Sequence, residues 1–315
     1  MSIVLILFLL ALLLYGAVVL RDWRRELPVP LERVAAAGGR VPGAGAGMTA
    51  AGGSRASPAP AADGRPAAPS PRLDPLLGAA LLVHAASLLW PLSDGVFIFG
   101  FAPLLSAMVW IALFLIWVEN RRVSLGRLPT LLSLLAMPVV VLPWVFPGQV
   151  FVFGQQAPLL VPHLVVGTLA YGMVFMAALQ ALLMAAAEHR LHPRRTERSG
   201  GLAALIARGH RSLPPLMVLE RILFQVISVA FVLLLLTTVS GVVFSEEIFG
   251  RPLPFNHKTV FSLVATVFFG LLLLGRWLWG WRGRLAIRMT LGGFILLLLS
   301  YVGSRFVMEV VLQRI

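Results

Sequence analysis

A chain of 315 residues with 12% charged and 59% hydrophobic side chains cannot hide its apolar surface in water, since soluble domains carry about 25% charged residues. That balance, with a mean hydropathy of +0.90, excludes a water-soluble enzyme or binding domain and makes lipid the solvent. The net charge of +13 does not point to nucleic acid, because every basic residue but Lys258 is arginine and the arginines fall between apolar runs, as topogenic charges do.

In lipid each backbone N–H and C=O must be satisfied inside its own segment or barrel. The apolar runs are continuous and close to twenty residues long, which suits helices and not alternating barrel strands. The expected fold is therefore all-α, a polytopic membrane bundle of about eight transmembrane helices with both termini outside. The spans fall at about 3–20, 76–92, 99–118, 128–146, 158–186, 218–243, 258–279 and 285–311.

The first run, residues 1–20, lacks a basic leader and an evident small-residue cleavage site, so it reads as a retained anchor helix. Residues 21–74 form a linker rich in Ala, Gly and Pro. Such a composition cannot bury enough apolar area to offset its ordering entropy, so a disordered cytoplasmic segment is expected. Residues 75–315 then hold seven further helices. The 187–217 loop, with Pro214 and Pro215, reads as a surface connection.

Orientation follows from arginine. Arg21 to Arg72 follow the first span; Arg121, Arg122 and Arg127 follow the third. Arg190, Arg194, Arg195, Arg198, Arg208 and Arg211 follow the fifth, and Arg282, Arg284 and Arg288 the seventh. Loops 93–98 and 147–157 have no basic residue, and 244–257 has only Arg251. The bare loops are therefore assigned to the outer side of a bacterial inner membrane.

Intramembrane ionisable groups mark functional positions. His189, His192 and His210 lie among loop arginines. His84 sits midway along span 2, His163 opens span 5 from the outer side, and His257 opens span 7 from the same side. Neutral imidazole ligates iron and is the usual axial ligand of haem. The three membrane histidines are thus candidates either for haem-iron ligation or for a hydrogen-bonded structural role. His163, Gly167 and Tyr171 recur every four residues on one helical face, where Gly167 would leave room for a flat ring. Lys258, Ser262 and Thr266 form a second stripe, and Lys258 and Arg251 are outer-side cations able to pair with propionates.

Each feature also has a structural use. Gly167 suits close helix packing, Ser262 and Thr266 suit hydrogen bonds between helices, Lys258 can snorkel, and Arg305 and Glu309 can neutralise one another. There is no phosphate-cradling glycine loop, no H-E-x-x-H and no carboxylate pair within a span, so no enzyme constellation is found. Having no cysteine, the chain also lacks a thiolate metal site, a disulfide relay and a C-x-x-C-H haem attachment site.

Taken together, VHAASL around His84, PHLVVGTLAYG around His163, PPLMVLERILFQ, NHKTVFSLVAT, GRWLWGWRGRLA and YVGSRFV make residues 75–311 resemble the integral-membrane cytochrome c assembly family, in its HemX-like inner-membrane branch. The resemblance implies a protein that binds or presents haem non-covalently at the outer face, with apocytochrome c or other maturation proteins as partners and the bilayer as its environment. It also implies His163 and His257 as candidate haem-iron ligands near that face, and His84 as a candidate ligand or channel residue within the membrane. The chain departs from the better-known haem-handling members in lacking a tryptophan-rich outer segment ending in Trp-Asp. Two alternatives stand beside this reading: a membrane regulator of tetrapyrrole synthesis acting through protein contacts, and a small-molecule transporter using His84 with Pro138 and Pro143.

Overall fold

The computed structural model describes residues 3–24, 74–122, 125, 127–152, 160–191, 215–249 and 257–303. Residues 25–73 of the expected 21–74 linker, the body of the 187–217 loop, Arg251 and the Arg305–Glu309 pair lie outside the described residues. In chain order the elements are α1 (Ile3–Arg24), α2 (Pro75–Ser93), β1 (Val96–Phe99), α3 (Phe101–Glu119), α4 (Leu128–Val145) and β2 (Gln149–Val152). They continue with α5 (Leu160–Leu191), α6 (Leu216–Phe249), α7 (His257–Trp279) and α8 (Arg284–Leu298), which ends in a π-helical turn, Leu299–Gly303. Eight helical segments are long and apolar enough to cross a membrane. The polytopic all-α expectation holds.

The helices assort into two groups of four. α1 packs on α2 and α4, and α3 packs on α2 and α4; α5 packs on α6 and α8, and α7 packs on α6 and α8. α3 and α5 join the groups. At that seam Gly172 lets α5 approach Ile111 so closely that an added Cβ would lie 2.9 Å from Ile111 Cβ. Small residues serve this purpose in membranes, where no hydrophobic gain separates helix from lipid and association depends on close contact. Nearer the arginine-bearing end of the same seam, Gln180 donates to the Glu119 carboxylate at 3.2 Å.

The helix ends sort by charge as the loop arginines require. Arg21 donates to Asp74 and Asp22, and Thr130 donates to Asp22 at 2.6 Å, so α1, α2 and α4 meet there. The first helix accordingly runs to Arg24, past the expected limit at residue 20, because Arg21 and Asp22 have partners on neighbouring helices. Arg276 on α7 donates to Glu220 on α6 at 2.9 Å and lies 3.7 Å above the Phe224 ring. Arg284 donates to Glu188 at 2.8 Å. All these pairs lie at the arginine-bearing, inner end of the bundle.

The opposite end holds an element absent from the sequence reading, a two-stranded antiparallel sheet that pairs Val96 with Val152 and Phe99 with Gln149. It links two outer loops across α3 and α4. Gly148 makes the approach possible: at φ 78° it occupies the left-handed region, and a Cβ there would meet the Phe99 carbonyl at 2.8 Å.

Candidate functional site

His84 is wholly buried in the first group of helices, between α1 and α3. Tyr15 Oη lies 2.9 Å from its Nδ1, and Ser106 Oγ lies 2.9 Å from its Nε2. A neutral imidazole has one N–H and one lone pair, so one hydroxyl donates to the ring and the other accepts from it. Tyr15 also meets the ring edge-on, with centroids 5.8 Å apart. Ser87, one turn along α2, donates to the His84 carbonyl at 2.6 Å. In this arrangement neither ring nitrogen of His84 is open to iron. An intramembrane ligand or channel role for His84 would require Tyr15 or Ser106 to withdraw.

His163 has a different setting. It stands in the first turn of α5, at the outer end, and is only partly buried. Its Nδ1 lies 2.7 Å from Ser240 Oγ on α6, and Ser240 Oγ also approaches the Thr237 carbonyl at 3.1 Å. This contact fixes the plane of the imidazole. Beside it stands Gly241, where an added Cβ would fall 3.3 Å from His163 Cε1. One turn deeper a Cβ on Gly167 would touch Thr237 Cγ2 at 3.4 Å. Glycines on both helices thus keep the α5–α6 interface thin just where the histidine sits.

Tyr171 continues the stripe but leaves that interface. Its ring lies 6.4 Å from Tyr301 of the π-helical turn, Tyr301 lies 5.0 Å from Phe99 of β1, and Ser300 hydrogen-bonds the Tyr171 hydroxyl. A four-residue spacing drifts by about 40° per step on a helix of 3.6 residues per turn, so eight residues carry the stripe from α6 toward α8. His163 and Gly167 therefore share one surface, and Tyr171 faces another.

Of the second stripe, Thr266 donates to the Ser262 carbonyl at 2.8 Å and lies 3.3 Å from Thr238 Oγ1 on α6. These residues serve the contact between α6 and α7. His257 and Lys258 begin α7; their side chains, like Arg251 as a whole, lie outside the described structure. Among the described residues no three His, Cys, Asp or Glu side chains gather as a metal site.

Sequence reasoning missed Tyr15, Ser106, Ser240 and Gly241. The signal was present: each hydroxyl is a polar interruption of an apolar run, and in a membrane such a group needs a partner on a neighbouring helix. Which helix supplies that partner is a matter of bundle topology, which the runs do not carry.

The model of a family described as cytochrome C assembly protein matches residues 74–312. The inner membrane protein YpjD of Escherichia coli strain K12 is 29% identical over 165 residues, covering 52% of this chain and 58% of that protein. A protein of Azospirillum brasilense, described as an uncharacterized 28.8 kDa protein in the nifR3-like 5′ region, is 31% identical over 150 residues, 48% of this chain and 52% of its own. The cytochrome c biogenesis protein CcsA of Prochlorococcus marinus strain AS9601 is 31% identical over 88 residues, 28% of each chain. The aligned region thus spans a little over half the length of the first two relatives. No solved structure matches.

Proposed function

The chain belongs to the cytochrome c assembly protein family, and from that premise we propose that it assists cytochrome c biogenesis by holding haem non-covalently at the outer membrane face. Haem is here cargo, presented for attachment to apocytochrome c. The chain would supply positioning, and the thiols of the thioether bonds would come from the apocytochrome, since this chain has no cysteine. The sequence segments around His84, His163 and His257 support placing it in the HemX-like branch.

The observation that carries the proposal is the setting of His163. Its imidazole is oriented through Nδ1 by Ser240, stands at the outer end of α5, and is flanked by a glycine where a Cβ would crowd the ring. A metal-bound histidine is commonly fixed by a hydrogen bond from its other nitrogen. The donor chemistry and the small neighbour fit a flat iron macrocycle. His163 would hold the iron, with His257 as the second ligand from the start of α7. Lys258 and Arg251 would pair with the propionates, and Gly167 would shape the wall beneath, with Tyr171 turned away toward Tyr301. His84, with both nitrogens committed, holds α1, α2 and α3 together.

The test is the absorption spectrum and pyridine haemochrome of protein purified in mild detergent from haem-replete cells, for the wild type and His163→Ala. A Soret band in the wild type that is lost or displaced in the variant is expected. A colourless wild type would sink the haem reading and leave the regulator of tetrapyrrole synthesis as the better account.

A further inference from the structure

A cavity of about 450 Å³ lies in the outer half of the first helix group, beneath the two-stranded sheet and beside α5. Phe8, Leu88, Leu104 and Ala107 help to wall it. Among the described residues no charged side chain lines it, and His84 does not reach it. The polar groups set in the wall are already engaged: Ser87 donates to the His84 carbonyl at 2.6 Å, Thr168 to the Leu164 carbonyl at 2.8 Å, and Trp110 Nε1 to the Leu81 carbonyl at 2.8 Å. A ligand with a polar or charged head would find no side-chain partner for it in that wall, and burying such a head unpaired is costly.

The lining also shows where an occupant enters. Leu89, Trp144, Val165 and Leu169 belong to the cavity, yet they are 58%, 56%, 41% and 42% exposed. They stand on α2, α4 and α5, each of which packs on α3. The cavity therefore opens sideways past these side chains, into hydrocarbon, with Trp144 near the outer end of α4 at the depth where aromatic side chains mark the membrane interface.

From the apolar wall, the engaged hydroxyls and the lateral mouth, we infer that this cavity binds one acyl chain of an outer-leaflet phospholipid, whose headgroup stays at the interface beside Trp144. The attraction is dispersion: a chain drawn from lipid gains no hydrophobic free energy but fills space whose walls otherwise lack partner atoms. The inference is independent of haem, since it uses neither His163 nor α7.

The experiment uses the full chain in vesicles containing a phospholipid with a photoreactive diazirine near the end of one acyl chain, with adducts mapped by peptide mass spectrometry. Adducts at Leu88 and Leu104 are expected, although Leu104 is only 2% exposed, together with the background at lipid-facing Leu82. Ala107→Phe fills the cavity and should lower the Leu88 and Leu104 adducts at least fivefold, leaving Leu82 unchanged. Wild-type labelling confined to outward positions such as Leu82 overturns the inference, whether or not Ala107→Phe folds. So does an equal yield at Leu104 in a folded Ala107→Phe, or extraction of an isoprenoid in place of phospholipid from the purified wild type.

Discussion

The two helix groups each carry a histidine, and they treat it in opposite ways. In α1–α4 the imidazole of His84 is sealed, with a hydroxyl from a different helix at each nitrogen. In α5–α8 the imidazole of His163 stands at the outer rim, oriented at Nδ1 and beside a glycine. Residue type alone does not distinguish a structural histidine from a ligand. The depth of the ring, and what stands beside it, do.

The sharpest way to break this contrast is to delete each histidine in turn. His84→Ala removes a fully buried ring and strands two hydroxyls, so it should cost about 3 kcal/mol in unfolding from mild micelles by a denaturing detergent. His163→Ala should cost about 1 kcal/mol or less, because its site is partly open. Haem content should respond in reverse, with the Soret band kept by whatever folded His84→Ala protein is recovered and lost from His163→Ala. Equal stability losses would refute the assignment of different roles.

Subtler changes sharpen the same comparison. Gly241→Ala places a methyl 3.3 Å from His163 Cε1 and should weaken haem retention roughly threefold, about 0.6 kcal/mol, with unfolding nearly unchanged; haem titration of the purified protein reads this directly. Tyr15→Phe leaves one His84 nitrogen without its hydroxyl. It should lower stability by about 0.6 kcal/mol, the average for hydrogen bonds between membrane helices, without moving the spectrum. A spectral change in Tyr15→Phe would place His84 in the haem site after all.

Much of the architecture was legible because lipid imposes a simple rule: each segment must satisfy its own backbone and show an apolar surface for about 30 Å. Run lengths and arginine positions therefore placed the helices within a few residues and set their alternation. The outer two-stranded sheet was illegible, since VFIF and QVFV look like the edges of spans until Gly148 brings the two loops together. The partners of His84 were illegible for another reason. Tyr15 lies 69 residues away in sequence, before the 25–73 segment, and outside the residues matched by the family model. Only the packing of α1 against α2 brings it to the ring.

That packing has its own titratable fastener, and it gives the smallest of the expected effects. Asp74 caps α2 by accepting from the Leu76 N–H at 3.0 Å and takes Arg21 of α1 on both oxygens. Burial pushes its carboxyl pKa upward, but the Arg21 hydrogen bond and charge, with the Leu76 and Leu77 N–H groups, outweigh that and hold it below the usual carboxylate value. A depressed folded pKa contributes stability that is fully present above the unfolded value, about 3.9, and is lost as pH falls through the lowered one. Asp74→Asn keeps a cap but loses the charge. It should therefore cost about 0.4 kcal/mol at pH 7, as a partly exposed pair does, and progressively less below pH about 4 as the wild type protonates. Detergent-unfolding curves for both proteins across that range read the convergence. A gap that stays constant with pH would assign the loss to geometry at the cap, leaving the hydroxyl contacts at His84 and apolar packing as what fastens α1 to the bundle.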